Sequence, residues 1–316
     1  MSVVNCGVNA VDAEAASVKG KKPDIVLMTD FGLTTGFVGS MYGVIRKVDQ
    51  SLGVFDLNHE IRPYDMRQAA FLLADTVMYW KDGTVFVSVV DPGVGTSRRS
   101  CVALLDNGSY VVTPDNGTLT AVKDHVVAVR EIDESVNRLS GSERANSFHG
   151  RDVYAYTAAR LASGIIDYEG VGPQYPVEEI VLFPQTKGHV EPGLAKGHIT
   201  GCLKHFGSPE TDISVVDFEK TGIVYGDMVH VCIEKAGEVL FDMPVLYHKS
   251  FGFVPEGEPI LCNGSTSPYM EISLNKRSFA QKYLPDIFDD GEVFTDYSIE
   301  ISKLSGCSAH QLSKEV

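Results

Sequence analysis

Three apolar runs in this chain each stop at an acid followed by a glycine. Ile25-Val26-Leu27-Met28-Thr29 runs into Asp30-Phe31-Gly32, Val85-Phe86-Val87-Ser88-Val89-Val90 into Asp91-Pro92-Gly93, and Tyr110-Val111-Val112-Thr113 into Pro114-Asp115-Asn116-Gly117. Near-continuous β-branched runs read as strands buried on both faces, the situation a parallel α/β sheet provides. Ligands of such sheets sit beyond the carboxyl ends of the strands. Any one of these turns is ordinary, because Asp, Pro and Gly form turns for conformational reasons. Three on one edge, joined by Phe148-His149-Gly150-Arg151-Asp152, point to a site. The second turn continues Val94-Gly95-Thr96-Ser97-Arg98-Arg99, which returns a guanidinium beside Asp91. That is a site or a buried ion pair.

Between these strands the periods alternate. Thr34 or Thr35 can cap a helix carrying Val38, Met41, Tyr42 and Ile45 inward. A short strand follows at Val54-Phe55-Asp56-Leu57, and Pro63 with Asp65 starts a helix with Met66, Ala70, Leu73 and Val77 on one face. His59 and Glu60, between them, read as a hydrogen-bonding loop pair. The polar run from Asp133 to Asn146 has no period and reads as an exposed loop. His149 then opens a helix with Val153, Tyr156 and Leu161 inward; free amides at a helix start favour anions, so His149 faces a ligand or is structural. Composition shifts near residues 183–193. Beyond it Ile223-Val224-Tyr225, the run from Met228 to Ile233 and the run from Tyr269 to Leu274 alternate, giving a small antiparallel β domain with one helix near Ser278 to Tyr283. The expected division is a flexible leader at 1–23, an α/β domain at 24–183 and a β domain at 194–310.

With 316 residues, 44% of them hydrophobic, the chain is long enough for two cores. It carries 27 basic against 42 acidic residues, a net charge of −15, which works against nucleic acid and anionic membrane and favours a small-molecule ligand. Six scattered cysteines form no Cys-x-x-Cys pair, so reduced thiols in a cytoplasmic protein fit best. Asp30-Phe31-Gly32 spells a kinase metal-binding triplet, but no glycine-rich loop, strand lysine or catalytic-loop pattern accompanies it. Walker, dinucleotide, nucleophile-elbow and His-Glu-x-x-His motifs are missing too. Asp30, Asp91 and Asp115 could share a hard cation such as magnesium, but Arg98 would repel it, and the expectation is no metal.

Five segments together closely resemble the S-adenosylmethionine hydroxide adenosyltransferase family, relatives of the fluorinase and chlorinase. They are Thr29-Asp30-Phe31-Gly32-Leu33-Thr34, Asp56-Leu57-Asn58-His59-Glu60-Ile61, Val90-Asp91-Pro92-Gly93-Val94-Gly95-Thr96, Thr113-Pro114-Asp115-Asn116-Gly117 and Phe148-His149-Gly150-Arg151-Asp152-Val153. The resemblance covers about Asp24 to Pro173 and continues weakly to the C-terminus. It implies an N-terminal α/β domain with a central, mostly parallel sheet, followed by a C-terminal antiparallel β-barrel. It also implies a homotrimer with each active site between neighbouring subunits, and S-adenosylmethionine as substrate with no cofactor.

The resemblance makes Asp91, Arg98 and His149 the holders of a water or hydroxide that attacks the ribose 5′ carbon, giving adenosine and methionine. Halogenating relatives replace the aspartate and histidine, so this chain resembles the water-using branch. Which of Asp91 and His149 is the base stays open. Asp30 would grip the ribose hydroxyls, with Thr34 and Thr35 beside it, and Tyr64, Phe148, Phe206 and Phe253 would supply aromatic faces. Ser208, Ser265 and Thr266 would complete the substrate contacts. Two departures stand out: Thr35 and Leu203 occupy positions where relatives carry acids for the substrate ammonium. The same chemistry on another 5′-activated adenosine, or nucleoside binding without turnover, is the alternative.

Overall fold

The computed structural model describes residues 22–144, 147–203, 205–288 and 294–308; the leader expected at 1–23 lies, except for Lys22 and Pro23, outside the described residues. The chain divides into two compact units between Phe183 and Pro184.

The first unit is a seven-stranded sheet with helices on both faces. Its strands are β1 (Ile25–Thr29), β2 (Val54–Asn58), β3 (Val85–Val89), β4 (Ser100–Leu105), β5 (Tyr110–Pro114), β6 (Val126–Glu131) and β7 (Gln174–Tyr175). Their order is β2-β1-β3-β5-β4-β6-β7, with β2, β1, β3 and β5 parallel and β4 antiparallel to both neighbours. Strands β1, β3 and β5 are neighbours running one way, so Asp30, Asp91 and Asp115 leave the same edge. Alternation along the strands feeds two cores. Leu27, Val87, Val89, Val102 and Val112 pack with α1 (Phe37–Val48) and α3 (Tyr156–Ala162), while Val26, Phe86, Cys101 and Val111 pack with α2 (Met66–Val77) on the other face.

Asp65 caps α2 by accepting from Gln68 N at 2.9 Å, as its sequence position suggested. Two local expectations are corrected. Gly36, not Thr34 or Thr35, is the N-cap of α1, and it supplies no side-chain bond. Tyr154, not Tyr156, is the buried aromatic after His149, because the segment Gly150–Ala155 is a π-helical turn that inserts a residue and rotates the register. The run 133–146 is not wholly exposed either, since Asn137 is buried and its Nδ2 donates to the carbonyls of Gly170 and Val171, both at 2.9 Å.

The second unit comprises β8 (His189–Glu191), β9 (Leu194–Leu203), β10 (Ser208–Ser214), β11 (Asp227–Lys235), β12 (Glu238–Tyr247), β13 (Pro259–Asn263), β14 (Tyr269–Leu274) and β15 (Tyr297–Ser308). Pairing of β10 with both β14 and β9 closes seven strands into a barrel, and β8 extends β9 outside the ring. All pairs are antiparallel except β12–β13, which runs parallel, a departure from the purely antiparallel reading. Ile223-Val224-Tyr225 forms a turn before β11 instead of a strand, with Asp227 accepting from Val224 N at 3.0 Å. Ile199, Val229, Val231, Ile233, Phe241, Leu261 and Ile272 fill the barrel.

Candidate active site

The β3 edge builds a buried polar cluster in the first unit. Val90 is fully buried and the chain then turns through Pro92 and Gly93, which leaves Asp91 at the edge with its side chain only 5% exposed. The turn brings back Arg98. Its Nε donates to Asp91 Oδ1 at 2.9 Å and its Nη2 to Oδ2 at 2.5 Å, a bidentate fork of the kind that is stronger than a single neutral hydrogen bond. Nη1 donates to Ser100 Oγ at 2.7 Å. His149, buried at the start of the π turn, has Nδ1 at 3.1 Å from Arg98 Nη2. A guanidinium has no acceptor, so the imidazole accepts there and carries its proton on Nε2. Glu134 Oε1 stands 3.7 Å from the same Nδ1 and its other oxygen accepts from Arg138 at 2.6 Å.

The electrostatics agree with that arrangement. Burial pushes His149 below its ordinary value; Glu134 and Asp91 oppose the shift, and Arg98 and Arg138 add to it. For Arg98 burial acts downward but is outweighed by the Asp91 bonds and by Tyr154, Asp91 and Glu134, so the guanidinium is held more firmly charged than usual. The site thus contains a fixed cation, a carboxylate bound to it and a neutral imidazole. Such a set can orient one water or hydroxide, stabilise oxyanion character and receive a proton.

Asp30 leaves the same edge from β1. Burial raises its pKa, partly offset by the Tyr64 N–H that Oδ2 accepts at 2.9 Å, and the Asp91 charge raises it further. Tyr64 is held at φ +68°, a conformation costing a non-glycine residue roughly 1 kcal/mol, with its ring largely exposed. Phe148 forms an aromatic wall with Phe31 and Phe37, centroids 5.1 to 5.8 Å apart. Gly150 lies beneath it, where a Cβ would come within 3.1 Å of the Phe31 ring and press on this wall. Thr34 and Thr35 are exposed on the turn into α1; Thr35 Oγ1 accepts from Phe37 N at 3.4 Å.

Other candidates prove structural. Asp115 spends its carboxylate on Tyr175 Oη at 3.0 Å and Val181 N at 2.8 Å, with Arg99 Nε at 3.7 Å. His59 does not pair with Glu60; it is buried between Thr29 Oγ1 and Asp56 Oδ1, each at 2.8 Å, and its carbonyl accepts from Gly32 N, which fixes the β1 turn. Sequence reasoning missed Ser100, Tyr154, Glu134 and Phe37. Ser100 had a signal, since it follows Arg98 by two on an edge entering a strand and so shares its face.

Within the barrel the candidate residues are dispersed. Ser208 is buried, its Oγ 2.7 Å from Ser273 Oγ, which donates to Glu271 at 2.6 Å. Phe206 is 72% exposed on the β9–β10 hairpin, beside Gly207 at φ +67°, where a Cβ would collide with Ser278. Phe253 stacks on His248 at 3.5 Å, and Ser265 and Thr266 are exposed between β13 and β14. Leu203 is the register partner of Ser208.

Comparison with known proteins decides the family. The model of the SAM (S-adenosylmethionine) hydroxide adenosyltransferase N-terminal domain matches residues 25–172. A protein of Thermus thermophilus named (R)-S-adenosyl-L-methionine hydrolase is 33% identical over 261 residues, 80% of this chain and 92% of that one. This chain belongs to the SAM hydroxide adenosyltransferase family. A fluorinase of an Actinoplanes species is 27% identical over 285 residues, 83% of this chain and 94% of its own. The crystal structure of an uncharacterized conserved protein from Thermotoga maritima superposes with a TM-score of 0.77 at 30% identity, over 88% of this chain and 99% of that one. The matched family domain contains the whole Asp91–Arg98–His149 cluster together with Asp30.

Proposed function

We propose that this chain hydrolyses S-adenosyl-L-methionine to adenosine and L-methionine by attack of water or hydroxide on the ribose 5′ carbon. The observation that carries the proposal is the assembly of Asp91, Arg98 and His149 into one buried cluster on the sheet edge, in a member of this family. The sulfonium is already a good leaving group. What the protein must supply is an oxygen held in line with the C–S bond, for which orientation alone is worth about 7–11 kcal/mol. Arg98 stabilises developing negative charge, while Asp91 and His149 orient the water and one of the two takes up its proton. Asp30 holds the ribose hydroxyls; Tyr64 and Phe148 shield the nucleoside, with Thr34 and Thr35 beside them. Phe206, Ser208, Phe253, Ser265 and Thr266 are the proposed contacts of the barrel domain.

The proposal includes a catalytic domain at 24–183, a barrel domain at 194–310, a homotrimer and a cytoplasmic setting with reduced thiols. One observation favours a second reading. Thr35 offers only a hydroxyl where the family resemblance calls for an acid, so the substrate's amino-acid end differs from methionine if that acid is indispensable. Incubation of the purified chain with each sulfonium epimer, read by mass spectrometry, separates the two. Adenosine and methionine formed together from the (R) epimer support hydrolysis of S-adenosylmethionine. Nucleoside binding without turnover of either epimer moves the substrate to another 5′-activated adenosine.

A further inference from the structure

Hydrogen directions in the Asp91 cluster are fixed by what each group is able to do. Arg98 only donates, and an ionised Asp91 only accepts. Ser100 Oγ accepts from Arg98 Nη1 at 2.7 Å, so its own hydrogen is free to point at Tyr154 Oη, 3.3 Å away. Tyr154 Oη lies 3.2 Å from Asp91 Oδ2, which it must serve as donor. The bonds therefore run one way along a chain from Arg98 to Ser100 to Tyr154 to Asp91, and the bidentate Arg98 fork joins the same two ends directly. Such one-way chains polarise their members cooperatively. Tyr154 is fully buried, and burial holds its phenol well above the ordinary value, which keeps the proton on the tyrosine.

Counting lone pairs gives the consequence. Oδ2 of Asp91 receives two hydrogens, from Arg98 Nη2 and Tyr154, whereas Oδ1 receives one, from Arg98 Nε. His149 Nδ1 is occupied by Arg98 as well, which leaves its Nε2–H as a donor. We propose that Tyr154 is a positioning residue that saturates Oδ2 of Asp91 and so selects Oδ1 as the oxygen that accepts the proton of the attacking water. This rests on the hydrolysis proposed above. In the step, the water oxygen bonds to the 5′ carbon and the carbon–sulfur bond breaks with its electron pair leaving on sulfur as a neutral thioether. The water proton passes to Asp91 Oδ1 and then to solvent. One water is consumed and one proton released.

The groups facing Asp91 are Arg98 from its own turn, Asp30 from the β1 end, and Tyr154 and His149 from the π turn. Glu134 and Arg138 act on it through His149, and Tyr154 also faces Cys101.

Tyr154→Phe deletes one oxygen and keeps the ring in the core. The expected result is a fall in kcat of about tenfold with KM little changed. Ser100→Ala, which keeps the tyrosine-to-Asp91 bond, should show a smaller fall in kcat, again with KM little changed. A wild-type kcat in Tyr154→Phe overturns the proposal while leaving hydrolysis intact. A wild-type chain that forms no adenosine overturns the hydrolysis reading, and the proton step with it.

Discussion

The β3 and β5 ends of the sheet carry the same local pattern and put it to different uses. Each strand ends on an aspartate in a glycine turn, each aspartate has an arginine neighbour, and each receives a tyrosine hydroxyl: Arg98 and Tyr154 for Asp91, Arg99 and Tyr175 for Asp115. The two arginines are consecutive residues leading into β4. Successive side chains of an extended chain point to opposite faces, so Arg98 joins the face of Val102 and Tyr154 and Arg99 the face of Cys101 and Tyr175. What separates the two is the fourth group. Asp115 is completed by a backbone amide, Val181 N, and is sealed by the segment that returns across it. The Asp91–Arg98 pair is completed by His149, which accepts from Arg98 through Nδ1 and keeps its Nε2–H to offer a ligand. An acid, an arginine and a tyrosine make a lock; the histidine makes it a site.

The comparison breaks most sharply at the aspartates. Asp91→Asn is expected to lower turnover by about 10²- to 10⁴-fold, with nucleoside binding retained, in single-turnover product assays. Asp115→Asn should do the reverse, costing about 2 kcal/mol in denaturant unfolding while turnover per folded molecule is kept. Loss of activity without loss of stability in Asp115→Asn would erase the distinction. The arginines sharpen it: Arg98→Lys loses the bidentate fork and should cost tenfold or more in kcat. Arg99, nearly a third exposed and also paired with Glu179, should tolerate lysine within about 0.5 kcal/mol.

Two smaller effects depend on pH. His149 has a folded-state pKa below 6.5, so the unfolded chain binds more protons as pH falls through that value, and stability drops toward acid. His149→Asn should flatten the unfolding midpoint between about pH 7 and 5. Asp75, on α2, has the opposite sign. Burial raises it to about 6, so its contribution is favourable when protonated and is lost as pH rises through that value. Because it is only partly buried, Asp75→Asn should stabilise the chain by about 1 kcal/mol or less above pH 6, and by nothing below pH 4.

The sheet edge was legible because a parallel sheet writes each site residue directly after an apolar strand, and three such strands were visible as runs. Asp30, Asp91, Arg98 and His149 could all be named from that pattern and the family resemblance. Tyr154 could not, because a π turn shifts the register by one residue and nothing in the spacing announces it. Asp115 was equally conspicuous in sequence and only its partners, Tyr175 and Val181, reveal its structural role. In the barrel, Phe206, Ser208, Phe253 and the Ser265–Thr266 turn sit on separate hairpins and loops, and alternation along strands does not tell which turns gather around a ligand. The parallel β12–β13 pair was hidden for a related reason, since strand direction leaves no mark in a short alternating run.

The most direct test of the central claim is a turnover of S-adenosylmethionine in 18O-enriched water, with Asp91→Asn in parallel. The account predicts equal amounts of adenosine and methionine, one heavy oxygen in the adenosine 5′-hydroxyl, none introduced into methionine, and both products suppressed in the variant. Adenosine without the label, or undiminished turnover in Asp91→Asn, would contradict it.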